Sequence, residues 1–264
     1  MADPLDCALD LLRRLPPTKT KLNLNKLCSL RPDLQDDLLS SVDHQLQVAK
    51  CSATGKDFLL CDYNRDGESY RSPWSGEFQP KTDGVKPSPQ LAQLEKQAND
   101  AFETYRELYF GGGVSSVYLW DLDEGFAGVV LIKNGSQSGS WDSIHVIEVN
   151  PTKKSATYKT TSSIILQVVT PTSSTPKVDL AGSLTRQAEM EFPLDDYTSH
   201  VHNIGRLVEE MENKMRSSIE QVYFGKTKDI LNDLRSLNDL KVVKNQAGIT
   251  AQLLGKLNER GQKS

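Results

Sequence analysis

Residues Asp62-Tyr63-Asn64-Arg65-Asp66-Gly67 place side-chain oxygens at alternate positions ahead of a glycine. That is how a calcium loop begins, because a hard cation needs several oxygen ligands and a sharp turn to gather them. The second half departs from the pattern. The position that should hold a bidentate Glu is Pro73, which costs the site two oxygens and its closing element. The flanks, Phe58-Leu59-Leu60 and Ser72-Pro73-Trp74, read as strand and coil rather than helix. A hydrogen-bonded Asx-type turn accounts for the segment. A calcium-responsive adaptor using residues 62–67 is the alternative functional reading.

Other chemistry is fragmentary. Gly135-Ser136-Gln137-Ser138-Gly139 resembles a nucleophile elbow but has Gln where the nucleophile belongs. Gly55-Lys56 precedes Asp57, not the Ser or Thr of a phosphate loop. His44, His145, His200 and His202 are scattered, and the last two read as surface or capping residues beside a helix start. Glu209 and Glu210 fit a solvated helix face, with Arg206–Glu210, Glu210–Lys214 and Glu212–Arg216 at ion-pair spacing. Cys7, Cys28, Cys51 and Cys61 lie too far apart for a zinc ribbon or a redox motif and read as buried free thiols. The expectation is a protein with no catalytic residues, no metal and no cofactor.

The chain has 264 residues, with 31 Lys and Arg against 35 Asp and Glu, a formal charge of −4. A slightly acidic chain is a poor nucleic-acid binder. It holds no run of about 18 apolar residues that could span a membrane. Asp3, Asp6 and Asp10 near the start argue against a secretory signal, so a cytoplasmic protein is expected.

The elements follow from periodicity. Asp3 can cap a helix with Pro4 at its first position and Leu5, Ala8, Leu9 and Leu12 on one face. Leu24, Leu27 and Leu30 suggest a second helix, and Asp33 can cap a third carrying Leu34, Leu38, Leu39 and Val42. Together they read as a small antiparallel bundle. A helix with Leu91, Leu94, Ala98, Ala101, Phe102, Tyr105 and Leu108 on one side ends at Gly111-Gly112-Gly113. Five strand patterns follow, at 114–121, 126–133, 141–149, 156–169 and 178–190, and their short connections favour an antiparallel meander. One long amphipathic helix, about 199–236, should lie across the sheet, with Ile204, Leu207, Val208, Met211, Met215, Ile219 and Val222 in one stripe. It cannot cover both faces and both edges, so a partner subunit is expected to cover something. The segment 241–264 is basic, with Lys241, Lys244, Lys256, Arg260 and Lys263 against Glu259. It puts Ile249, Leu253, Leu254 and Leu257 on one helical face, and Gly248 and Gly255 leave that helix marginal alone. It could enter a partner's groove, lie on an anionic membrane, or pack on its own domain.

Cys61-Asp62-Tyr63-Asn64-Arg65-Asp66 within 55–75 closely resembles the beta subunit of the heterodimeric F-actin-capping protein family. The resemblance continues through 5–17, 37–43, 112–133 (with Val-Ser-Ser-Val-Tyr-Leu-Trp-Asp-Leu-Asp), 141–149, 182–187, 203–217 and 223–230. It weakens in 19–31, 77–90, 134–140 and the tail after Asn238. It implies an α+β fold: a helical stalk (1–54), a small irregular domain with a connecting helix (55–110), a five-stranded antiparallel sheet under a long helix (111–240) and a C-terminal extension, or tentacle (241–264). A homologous alpha subunit would complete the sheet. The implied function is calcium-independent capping of the barbed end of actin filaments, blocking subunit gain and loss. By position, Arg216 aligns with a basic residue of an actin-binding surface that in the family also touches phosphoinositides, and Lys214 is its neighbour there. Leu253 and Leu257 fall at apolar tentacle positions, and Leu254 and Ile249 extend that face. Arg14, Asp43, Asp62 and Phe78 align with positions that meet proteins bearing a capping-protein-interaction motif, Phe78 in place of a Tyr. A myotrophin-like inhibitor is a further implied partner.

Overall fold

The computed structural model describes residues 3–15, 19–40, 45–136, 139–169, 179–226, 228–230 and 232–233. Two compact units divide the chain, Met1–Met211 and Glu212–Ser264.

The first unit opens with three helices. In α1 (Pro4–Arg14) the Asp3 carboxylate accepts the Leu5 N–H at 3.0 Å, and Pro4 occupies the first turn, where its missing N–H costs nothing. α2 spans Thr20–Leu30. Asp33 does not cap the third helix. It sits inside a 3₁₀ turn, Pro32–Leu34, paired with Arg31 at 2.6 Å, and α3 (Gln35–Ser40) starts after it. Val42 lies outside the described residues. Ala8, Leu24 and Leu38 form the bundle's buried centre, with Leu5, Leu9, Leu12, Leu27, Cys28 and Leu34 around it.

Two small sheets follow. β1 (Gln47–Lys50) pairs antiparallel with β2 (Asp57–Leu60). β3 (Arg65–Asp66), β4 (Ser69–Arg71) and β5 (Phe78–Gln79) form a three-stranded sheet. α4 then runs Pro89–Phe110 and ends at Gly111, whose φ of 65° is the left-handed cap that favours glycine.

The main sheet is the expected antiparallel meander: β6 (Val114–Leu122), β7 (Gly125–Ser136), β8 (Gly139–Pro151), β9 (Ser155–Val169) and β10 (Asp179–Pro193), in the order β10-β9-β8-β7-β6. The β7–β8 connection is tighter than the 134–140 loop expected. The ladder continues to Ser136↔Gly139, because Asn134 and Gly135 pair with Trp141 and Ser140.

The helix-facing side corrects the single-helix expectation. Leu91, Leu94, Ala98 and Phe102 of α4 join Ile204, Leu207 and Val208 of α5 (Ser199–Ile219) in one core over Val117, Val130, Ile147, Val149, Ala156 and Tyr158. α4 therefore belongs with the sheet rather than with the irregular region before it. At Gly128 a Cβ would lie 2.3 Å from Leu119 Cδ2, so the glycine makes room for that core residue. The opposite face is covered differently. Leu46 and Leu59, from the β1–β2 region, pack on Tyr118, Val129 and Leu131, with Ile144 and Val146 at the margin.

The second unit begins within α5. After Ile219 the helix widens into a π-helical turn, Glu220–Gly225. Residues 234–264, and with them the whole basic tail, lie outside the described residues.

Candidate functional site at the sheet edges

An antiparallel sheet leaves a row of unpaired N–H and C=O groups along each outer strand. In this molecule the β6 edge is closed by side chains of α4. Asn99 Oδ1 accepts the Val117 N–H and Asn99 Nδ2 donates to the Val117 carbonyl, both at 2.9 Å, so one amide side chain mimics a neighbouring strand. Glu95 Oε2 accepts the Leu119 N–H at 2.6 Å. Glu95 and Asn99 are 3% and 1% exposed, and a carboxylate that deep requires a partner. Arg71 of β4 supplies it through two bonds, at 2.5 and 2.8 Å, with its guanidinium 5.6 Å above the Tyr118 ring. Tyr118 donates to the Leu59 carbonyl at 2.7 Å, and burial holds its hydroxyl well above the ordinary range. The small sheets are thus fastened to the large one by a buried polar chain.

The β10 edge is open. Among the described residues β10 has one strand neighbour, β9, in register from Asp179↔Val169 to Pro193↔Ser155. Fifteen residues at the usual strand rise make an edge about 50 Å long. On the face away from the helices, Lys159, Thr161 and Ser163 of β9 and Thr185, Gln187 and Glu189 of β10 form a polar surface, consistent with exposure to water.

The expected site residues are dispersed. Lys214 and Arg216 lie in the second unit, exposed on the C-terminal half of α5. Ile249, Leu253, Leu254 and Leu257 lie outside the described residues, as does Asp43. Arg14 is exposed on α1 and pairs with Asp10 at 2.6 Å. Asp62 is almost wholly exposed, 3.9 Å from Arg65. Phe78 is 4% exposed, with its ring against the Gly84 backbone, where a Cβ would come within 2.5 Å. It shapes a surface rather than offering its ring to one.

Residues 62–67 build a turn. Asn64 is buried. Its carbonyl oxygen accepts the Cys61 N–H at 3.0 Å and its amide donates to the Arg71 carbonyl at 2.9 Å, so that oxygen is already engaged. Asp66 and Ser69 then pair across a hairpin in which Gly67 has φ 58°.

Several side chains differ from expectation. Glu212 is buried, not solvated. Arg206 lies over the Phe192 ring at 5.2 Å, and Glu209 accepts from the Tyr109 hydroxyl at 2.8 Å. His200 is buried, while His202 is exposed. All four cysteines are free, yet Cys7 is exposed and only Cys51 is buried. Burial raises the Cys51 thiol, but the Ser72, Thr54 and Ser75 hydroxyls outweigh it and lower the group to about 6. Burial pushes Cys61 up to about 11. Sequence periodicity picks out the apolar face of α4 but passes over Glu95 and Asn99, whose signal is polar residues set beside Leu91, Leu94, Ala98 and Phe102 on a core-facing stripe.

Comparison with known proteins resolves the class. The family model described as F-actin capping protein, beta subunit, matches residues 5–231, and the chain belongs to that family. An F-actin-capping protein subunit beta from Aspergillus oryzae is 55% identical over 91% of this chain and 93% of its own length. One from Drosophila melanogaster is 52% identical over 98% and 97%. Among solved structures, a homodimeric actin capping protein alpha subunit from Plasmodium berghei matches with a TM-score of 0.55 at 14% identity, over 88% of this chain and 95% of that one. That likeness establishes a shared fold. The family is one of actin-capping proteins, not of enzymes.

Proposed function

We propose that this chain is the beta half of a heterodimer that caps the barbed end of actin filaments without calcium, in the cytoplasm. The observation that carries the reading is the open β10 edge. A 15-residue strand with one described neighbour leaves room for a second, and an alpha subunit of the same fold would supply it. The family's names and the alpha-subunit fold neighbour support it.

Capping is then binding rather than catalysis. Arg216 and Lys214 form part of a cationic surface that meets acidic actin and, in the same manner, phosphoinositide headgroups. Such charges mainly speed encounter, and salt weakens them. Ile249, Leu253, Leu254 and Leu257 grip the filament end. Burying each gives roughly 1.5–3 kcal/mol. Ordering the segment takes back about 2–5 kcal/mol, so one tail alone binds weakly. Tethering it beside the cationic surface and the alpha subunit's extension raises its effective concentration to about millimolar. Arg14, Asp43 and Asp62, with Phe78 shaping the surface, receive proteins bearing a capping-protein-interaction motif, and a myotrophin-like inhibitor competes for the cationic surface. The proposed division is stalk (1–54), irregular region (55–110, of which α4, Pro89–Phe110, packs on the sheet), sheet and long helix (111–240) and tentacle (241–264).

Pyrene-actin elongation from barbed-end seeds tests the reading, with this chain co-expressed with an alpha subunit. Arrest of elongation at substoichiometric protein is expected, with and without calcium. Unimpeded elongation overturns it. Arrest only with calcium favours the adaptor reading through 62–67.

A further inference from the structure

A cavity of about 350 Å³ opens at the end of the main sheet, where the β6–β7 turn, the β8–β9 turn and the β10–α5 connection converge. Its size sits at the lower end of the range for ligand sites. Three carboxylates line it, Asp121, Asp195 and Asp196, against one ammonium, Lys153. Asp121 is fixed by the Ser88 N–H and hydroxyl at 2.7 Å each. Asp196 is fixed by the Thr198 hydroxyl at 2.7 Å and the Ser199 N–H at 2.9 Å, which hold its carboxyl below the usual range. Asp195 is exposed and has no hydrogen bond or ion pair among the described residues.

A second observation points to a ligand. His200, 2% exposed, lines the same cavity. Its Nδ1 meets the Tyr158 hydroxyl at 2.7 Å, and that oxygen already accepts from Asn203 at 3.1 Å. Among the described residues Nδ1 is the one acceptor in reach of the Tyr158 proton, so that proton goes to Nδ1 and the ring proton stays on Nε2. Nε2 has no partner among the described residues, yet it is not one of the sealed, unsatisfied atoms of the interior. It meets the cavity as a donor. Tyr197 stands edge-on to this ring at 5.3 Å and supplies an aromatic wall.

We propose that this cavity binds a segment of a partner protein bearing an arginine or lysine, with the cationic head between Asp195, Asp196 and Asp121 and a backbone carbonyl on His200 Nε2. A bare metal ion is the poorer occupant. Among the described residues no group of three His, Cys, Asp or Glu side chains converges closely enough to ligate one. An organic cation needs only the net negative charge and the aromatic wall, and the inward His200 donor serves the carbonyl of the peptide that carries it.

The test uses the full chain co-purified with its alpha subunit, with pyrene-actin capping measured on the same sample so that failure here and failure of the capping reading stay separable. The probe is acetyl-Gly-Arg-Gly-amide, and its control is the same peptide with neutral citrulline for arginine. Titration is followed by NMR of the His200 and Tyr197 side chains. The arginine peptide should shift both, about tenfold more tightly than citrulline. Asp195→Lys, a change at an exposed and unbonded residue, should weaken it about tenfold, and Lys153→Glu should tighten it severalfold. Equal binding of the two peptides, indifference to both charge changes, or no shift at about 10 mM peptide overturns the proposal.

Discussion

The β6 and β10 edges belong to one sheet, yet the chain treats them in opposite ways. Along β6, Asn99 and Glu95 take up strand hydrogen bonds from within the same molecule, and Arg71 neutralises the carboxylate that does so. Along β10 the side chains of Asn203 and Arg186 reach the Pro193 and Thr185 carbonyls, but no described strand lies along its outer side. A chain that spends three buried polar side chains on one edge has the means to finish the other. Leaving it bare fits a strand reserved for another polypeptide.

That contrast can be broken most forcefully at its closed side. Glu95→Ala leaves the Arg71 guanidinium buried without its partner, and denaturant unfolding should show a loss of about 3–5 kcal/mol. Asn99→Ala leaves the Val117 N–H and C=O unmet, and the same measurement should show about 2 kcal/mol. On the open side, Thr185→Pro and Arg186→Pro sample adjacent residues, of which one directs its N–H outward. That variant should keep the fold but weaken alpha-subunit association by about tenfold, about 1.4 kcal/mol, read by sedimentation.

Smaller effects sharpen the comparison. Burial holds His200 below its ordinary 6.5. It is neutral in the folded chain, so the stability it contributes is complete above pH 6.5 and falls as pH drops through its lowered value. His200→Gln should flatten the loss of stability between pH 6.5 and that lowered value, measured by thermal melts across pH. The exposed Arg14–Asp10 pair sets the floor, and Arg14→Ala should change stability by less than about 0.5 kcal/mol.

Apolar periodicity made the meander and both sheet-covering helices legible in the sequence, because their core positions recur at fixed spacing. The division of labour between the helices was not legible. α4 packs beside α5 because Leu91, Leu94, Ala98 and Phe102 need a sheet to cover them, and periodicity names no partner for a face. The 62–67 turn was legible from its missing closing ligand, and the Asn64 bonds supply the physical reason. The closed edge was hidden because a buried Glu and Asn on a helix look like surface residues until Arg71, more than twenty positions away, is placed beside them. The residues assigned to actin and regulators came from resemblance, and their polar or apolar character alone does not single them out.

Amide hydrogen exchange along β10 in the assembled heterodimer is the most direct test of the open edge. The account predicts slow exchange at every amide of residues 179–192, both those facing β9 and those facing outward, matching Val117 and Leu119 on the closed edge. Outward amides of β10 that exchange as fast as those of an unpaired strand, in a heterodimer that still caps filaments, would contradict it.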